Sequence, residues 1–140
     1  MVDVEEFLTE SNAIEDVHSE CTLIDSFDAW AYLRQQRKLT HDVLQTAHEH
    51  ILKNRQPEIA GYYRDIHVQI GGRRPPSPEV VELAMTDLQE WRPMDPVRAV
   101  EWHIAFEWIH PFADGNGRIG RLVYLCHCVE HLDAEPILWR

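Results

Sequence analysis

Cysteine is scarce in this chain. Its 140 residues hold three, Cys21, Cys126 and Cys128. That odd number, with no framework spacing, argues against a disulfide-stapled secreted domain. Basic residues are outnumbered, with 13 Lys and Arg against 24 Asp and Glu and a formal charge of −11. Non-specific nucleic-acid or membrane-surface binding relies on clustered cations, so neither nucleic acid nor membrane is an expected partner. The nine His soften the charge below about pH 6.5. No stretch approaches the roughly 18 consecutive apolar residues of a membrane span. The start, "MVDVEEFLTE", has neither the positive n-region nor the apolar run of a signal peptide. Internal repeats and low-complexity segments are also missing. These absences point to a reducing cytoplasm, and they are compatible with delivery into another cell.

What is present suits one globular domain spanning 1–140, with 44% hydrophobic and 26% charged residues. The periodicity is mostly helical. "VDVEEFLTESNAIEDV" places Val4, Phe7, Leu8, Ser11, Ile14 and Glu15 along one broad side. "SFDAWAYLRQQRK" and "THDVLQTAHEHILK" predict two more helices, the second with Thr40 as N-cap. "EVVELAMTDLQEW" predicts a fourth. "DPVRAVEWHIAFEWIH" opens with Asp95 as N-cap and Pro96 at the first helical position. Its expected apolar face is Val97, Val100, Ile104 and Trp108, with Trp102 and Trp108 in the core. A last helix begins within "GNGR" and runs through "IGRLVYLCHCVEH".

One segment departs from this pattern. "GYYRDIHVQIGGRRPPSP" alternates Ile66, Val68 and Ile70 and then meets Gly71-Gly72, the mark of a short strand entering a turn. The glycines and prolines that follow exclude a helix. The predicted architecture is an all-α bundle with a small β-hairpin flap over 62–74.

"HPFADGNGRIGR", residues 110–121, mixes histidine, acid, glycine and arginine. Gly115, Gly117 and Gly120 spell the dinucleotide fingerprint, but that fingerprint needs a preceding strand, and here a helix precedes. A P-loop needs Lys and Ser or Thr where the chain has Arg121 and Leu122. A calcium loop needs Gly and Glu where it has Ile119 and Leu125. What survives is the chemistry these motifs share. Glycines let backbone N–H groups approach an anion, and a helix N-terminus favours phosphate. Arg118 and Arg121 lie three apart on one face, as a phosphate clamp requires. Asp114 is placed to hold Mg²⁺ against phosphate oxygens, Asn116 suits a tight turn, and His110 is a candidate general base. Phe112 reads as the hydrophobic anchor of the loop.

The stretch also resembles the H-x-F-x-(D/E)-G-N-G-R-x-x-R signature of the Fic family, at every defined position. "AFEWIHPF" and the segment from "GYYRDIH" to "LQEW" are similar to the family's lead-in and flap, so the resemblance covers roughly residues 40–125. The resemblance implies a protein adenylyltransferase that moves AMP from ATP to a Ser, Thr or Tyr hydroxyl of a target protein. His110 would take the hydroxyl proton and Asp114 would hold Mg²⁺. Gly115, Asn116 and Gly117 would form the anion hole, while Arg118 and Arg121 would bind the outer phosphates. The flap, Asp65, Ile66, His67, Val68, Gln69, Ile70 and Gly71, would dock the target's backbone in an extended form. The motif-bearing helices and loop span 95–131.

"SNAIED", residues 11–16, resembles the family's N-terminal inhibitory motif, (S/T)-x-x-x-E-(G/N). Ser11 and Glu15 share a helix face within 1–18. In the family this glutamate pairs with the second arginine of the active-site motif, here Arg121, and displaces the γ-phosphate. The departure is Asp16, where Gly or Asn would suit a left-handed C-cap better.

The remaining features carry less. "CHCVEH" lacks the second ligand pair of a zinc site. "HEH" at 48–50 reads as surface or helix-packing histidine, and Tyr124 as a core residue or a neighbour of adenine. Two alternatives to AMP transfer stand beside it. One is a phosphotransferase of the same superfamily, and the other is a silent nucleotide-binding or protein-interaction module. Target, acceptor residue and oligomeric state are not encoded in any motif, and "AEPILWR" suits either a minimal family member or a fragment.

Overall fold

The computed structural model describes residues 2–137. Its six α-helices are α1 (Val4–Ile14), α2 (Glu20–Leu33), α3 (His41–Leu52), α4 (Pro78–Gln89), α5 (Pro96–Ile109) and α6 (Asn116–Cys126). A π-helical turn, His127–His131, follows α6. Helix starts obey local chemistry. Thr40 accepts the Val43 N–H, Asp95 accepts the Arg98 N–H, and Pro96 occupies the first turn. Ser19 caps α2 in the same way, so that helix begins six residues before the apolar pattern becomes visible.

The core is continuous. Helix α6 packs against α5, α1, α2 and α3, and Ile119, Leu122, Val123, Tyr124 and Leu125 are buried along it. Tyr124 is therefore a core residue, and its hydroxyl accepts the Ile137 N–H.

Two expectations fail. The buried face of α5 is Ala99, Trp102, His103, Phe106 and Ile109. Val97, Ile104 and Trp108 are exposed, at 65, 55 and 59%. This helix carries apolar residues on nearly every side, so two stripes competed, and the one containing the stacked Trp102–Phe106 pair was buried. Trp108 instead lies under the Arg73 guanidinium, 3.9 Å from ring to cation.

The flap is not a β-hairpin among the described residues. It is an irregular extended segment with one bridge, Ile70 to Arg73, closed by Gly71 and Gly72 at φ +53° and +78°. The physical reason lies in the return arm, where Pro75 and Pro76 have no N–H to extend a ladder. Arginines hold the segment instead. Arg64 donates to the carbonyls of Ile66, Pro76, Ile109 and His110. Arg73 donates to the carbonyls of Trp108 and Glu107.

Candidate active site

Residues 110–115 link α5 to α6, and the site is built on the two helix ends they join. His110 caps α5 in the left-handed conformation, φ 53° and ψ 60°. A non-glycine residue there costs of order 1–3 kcal/mol and persists only when its surroundings enforce it. The enforcement is Arg64, 4% exposed, whose Nε donates to the His110 carbonyl at 2.7 Å. The Arg64 backbone N–H also donates to the Pro111 carbonyl at 2.9 Å. A buried guanidinium thus caps orphan carbonyls at the end of α5. Burial first, and then the Arg64 charge, pull the His110 pKa down, against the opposing Glu107 carbonyl. The imidazole is neutral at neutral pH, as a general base must be.

Phe112 is fully buried and stacks on His48, with centroids 3.8 Å apart and planes 7° from parallel. Asn116 closes the loop onto it. Its Oδ1 accepts the Phe112 N–H at 2.9 Å, and its Nδ2 donates to the Phe112 carbonyl at 2.8 Å. That side chain is spent on the loop, so a ligand meets only the Asn116 backbone. Asp114 is held from three directions. Its Oδ1 accepts the Gly115 N–H, its Oδ2 accepts from Gln56 at 2.7 Å, and its carbonyl accepts from His48 Nε2 at 2.8 Å. Burial raises the Asp114 pKa, but Gln56, the Gly115 N–H and the nearby Arg118 charge outweigh it, and the net shift is downward. An ionised lone carboxylate beside a phosphate cradle fits Mg²⁺, which binds one or two carboxylates and completes its shell with water and phosphate. Among the described residues no group of three His, Cys, Asp or Glu forms an all-protein metal cage.

The start of α6 has the form of an anion cradle. Gly115, at φ +83°, is its N-cap, and the first intrahelical bond runs from the Ile119 N–H to the Gly115 carbonyl. The N–H groups of 116 to 118 therefore have no acceptor within the helix. Arg118 is 5% exposed, and among the described residues its Nε has no hydrogen-bond partner. Burial lowers its pKa, with the Asp114 and Glu15 charges opposing. A buried guanidinium left in this state is costly unless an anion joins it.

Arg121 lies one turn further on, and the far end of the molecule meets it there. Its Nε donates to Ser11 Oγ at 2.8 Å. Its Nη2 donates to the Ser11 carbonyl at 3.0 Å and to Glu15 Oε1 at 2.8 Å. The Glu15 carboxylate presses on the first turn of α6 so closely that a Cβ at Gly117 would collide with it. Asp16 adopts the left-handed conformation, φ +56°, despite lacking the freedom of glycine. The Asp16 N–H donates to the Ala13 carbonyl and the Val17 N–H to the Asn12 carbonyl, a complete Schellman closure.

The structure thus brings His110, Asp114, Asn116, Arg118, Arg121, Ser11 and Glu15 around one loop and the start of one helix. Glu107 joins them. Its carboxyl is pushed up to about 7, by burial first, with Arg121 opposing and Glu15 adding. No sequence pattern marks Glu107, Arg64, Gln56 or His48 as part of the site. Glu107, Arg64 and His48 fall within "AFEWIHPF", "GYYRDIH" and "HEH", but none of these stretches shows the contacts. Flap residues 65–71 border the site through Arg64 and Arg73 but supply no group to the loop. A cavity of about 590 Å³, lined by Leu33, Arg37, Trp91 and His127 among others, contains none of residues 110–121.

Residues 38–128 match the Fic/DOC family. The chain is 33% identical over 97 residues to protein adenylyltransferase fic-1 of Caenorhabditis briggsae, covering 64% of this chain and 19% of that protein. It is 33% identical over 98 residues to protein adenylyltransferase Fic of Nematostella vectensis, covering 65% of this chain and 23% of that protein. Among solved structures, a Fic family protein from Desulfovibrio desulfuricans superposes with a TM-score of 0.62 at 27% identity, over 86% of this chain and 41% of that one. Fic-1 from C. elegans does so at 0.64 and 25%, over 86% of this chain and 42% of that one. The chain spans about a fifth of the length of the curated relatives it matches.

Proposed function

The chain belongs to the Fic/DOC family, and from that premise we propose that it is a protein adenylyltransferase restrained by its own N-terminal helix. The observation that carries this reading is Arg118, a guanidinium 5% exposed whose Nε has no partner among the described residues, beside three N–H groups with no acceptor within the helix and an Asp114 whose pKa is lowered. That combination suits a polyphosphate.

The chemistry follows from the positions. A target's Ser, Thr or Tyr hydroxyl attacks the α-phosphorus of ATP, an O–P bond forms, and the bond to pyrophosphate breaks. His110, neutral and half-buried, accepts the hydroxyl proton. The N–H groups of Asn116, Gly117 and Arg118, with the guanidinium groups of Arg118 and Arg121, stabilise charge on the phosphates. Asp114 would hold Mg²⁺, which supplies charge neutralisation between phosphates when bound. Positioning and electrostatics carry such a transfer. The flap supports docking of an extended target backbone, because among the described residues only Ile70 and Arg73 of it form a bridge. Three free cysteines suit a reducing cytoplasm as the working compartment, and no described helix is long and apolar enough to cross a membrane.

Glu15 supplies the restraint. It takes the Arg121 hydrogen bond that the γ-phosphate needs, and it sits over Gly117 in the cradle. The same contact favours a second reading, a silent module in which Glu15 never leaves. Glu15→Gly protein, given Mg²⁺, cell lysate and ATP labelled on the α- or the γ-phosphate, distinguishes these. Protein labelling from the α-label alone is expected, and it should vanish with His110→Ala. Labelling from the γ-label alone means phosphotransfer, and labelling from neither means the silent module.

A further inference from the structure

Among the described residues, helix α3 hydrogen-bonds the active-site loop through one side chain, His48, while Leu52 packs beside it at Gly115. His48 is fully buried, and both its ring nitrogens are used. The Gly61 N–H donates to Nδ1 at 3.0 Å, and Nε2 lies 2.8 Å from the Asp114 carbonyl. A backbone N–H can only donate, so Nδ1 is the acceptor and the ring proton sits on Nε2, directed at Asp114. The ring also stacks face to face on Phe112. It closely abuts Gly115, where a Cβ would lie 3.3 Å from Nε2. One rigid ring therefore touches the anchor of the loop, the residue that would hold the metal, and the N-cap of the phosphate-facing helix. Gln56, just beyond the same helix, bonds the Asp114 carboxylate itself. Asp114 is thus fixed at its carbonyl and at its carboxylate from the same side.

Resting on the transferase reading above, we propose that His48 is a positioning residue. Its Nε2–H bond to the Asp114 carbonyl sets where the Asp114 carboxylate stands for Mg²⁺-ATP. A residue kept only for volume would not need a donor and an acceptor at opposite edges of a ring. Phenylalanine would fill the space and stack, yet it would leave the Gly61 N–H and the Asp114 carbonyl unpaired. Groups that orient a metal ligand without touching the metal change metal affinity by roughly 10–100-fold when removed.

The test uses three substitutions in the Glu15→Gly protein. His48→Gln can place an amide N–H near the position of Nε2. His48→Asn reaches only the position of Nδ1, and His48→Phe offers neither. The readouts are thermal stability, the Mg²⁺ concentration for half-maximal transfer, and the Mg²⁺ dependence of binding a fluorescent N-methylanthraniloyl ATP. The last readout needs no transfer. His48→Asn and His48→Phe should raise the Mg²⁺ requirement about tenfold, and His48→Gln less than about threefold, with metal-free nucleotide binding unchanged. Equal shifts in all three, a fall in stability with no change in Mg²⁺ dependence, or unfolding of all three would overturn the proposal. If Glu15→Gly binds Mg²⁺-ATP but labels no protein, the transferase reading fails while the binding series still decides the role of His48. If Glu15→Gly binds no nucleotide, both fail.

Discussion

Arg121 and Glu15, 106 positions apart, meet across a 2.8 Å hydrogen bond. The arginine side chain is only 11% exposed there and the glutamate 40%. The pair is one of three contacts by which the last turn of α1 holds Arg121, the others going to the Ser11 hydroxyl and carbonyl. Under the proposed restraint, its strength follows how well the end of α1 is formed, and the residue after Glu15 contributes to that end.

Asp16 stands in a left-handed conformation that disfavours a side chain, and it puts a negative charge at a helix C-terminus. His18 Nε2 lies 3.0 Å from the Asp16 carboxylate, in a largely exposed pair. Asp16→Gly should add about 1 kcal/mol to the helix end. The expected result is a higher melting temperature and slower AMP transfer than wild type. Faster transfer with higher stability would show that closure of α1 does not restrain the site.

The lowered pKa of His110 predicts the acid limb of activity. A base at His110 must be unprotonated, and burial and Arg64 hold its pKa below the usual histidine value near 6.5. In the Glu15→Gly protein the acid limb of the transfer rate at saturating ATP should have its midpoint below about 6.5. A midpoint above about 7 would contradict the assignment of His110 as the base.

Arg64 looks like an ordinary surface arginine in the sequence, but it satisfies carbonyls of Ile66, Pro76, Ile109 and His110 from a buried position. Arg64→Met should destabilise the fold by about 3 kcal/mol or more, because it strands several acceptors at once. Denaturant unfolding measures this directly. A loss under about 1 kcal/mol would mean that water replaces the guanidinium freely.

Glu107 carries a stability signature. Its folded pKa of about 7 lies above the ordinary 4.5. Folding therefore takes up a proton between those values, and the stabilisation is complete below about 4.5 and lost as pH rises through 7. Glu107→Gln removes this titration. The melting temperature of the variant minus that of wild type should grow from pH 5 to pH 8. A difference that is constant with pH would place the Glu107 carboxyl in water.

The caps and the loop were legible because their determinants are local. Thr40, Asp95 and Pro96 announce helix starts within a few residues, and "HPFADGNGRIGR" keeps its histidine, acid, glycines and arginines in twelve positions. The buried face of α5 was misread because its two apolar stripes differ only in which neighbours they meet. The flap lost its hairpin because prolines in the return arm cannot donate. His48 and Arg64 were invisible for a related reason: their partners lie 66 and 46 residues away, at Asp114 and His110, and no short pattern records such contacts. Glu15 was legible only through its resemblance to a known motif, since S-x-x-x-E alone is common.

The most direct test compares wild type with Glu15→Gly in one reaction, with α-labelled ATP, Mg²⁺ and lysate, scoring AMP covalently added to protein. Removal of the carboxylate from Arg121 and from the cradle over Gly117 should raise AMP transfer roughly tenfold or more. Equal transfer by the two proteins would contradict restraint by Glu15, and transfer of phosphate instead of AMP would contradict the reaction itself.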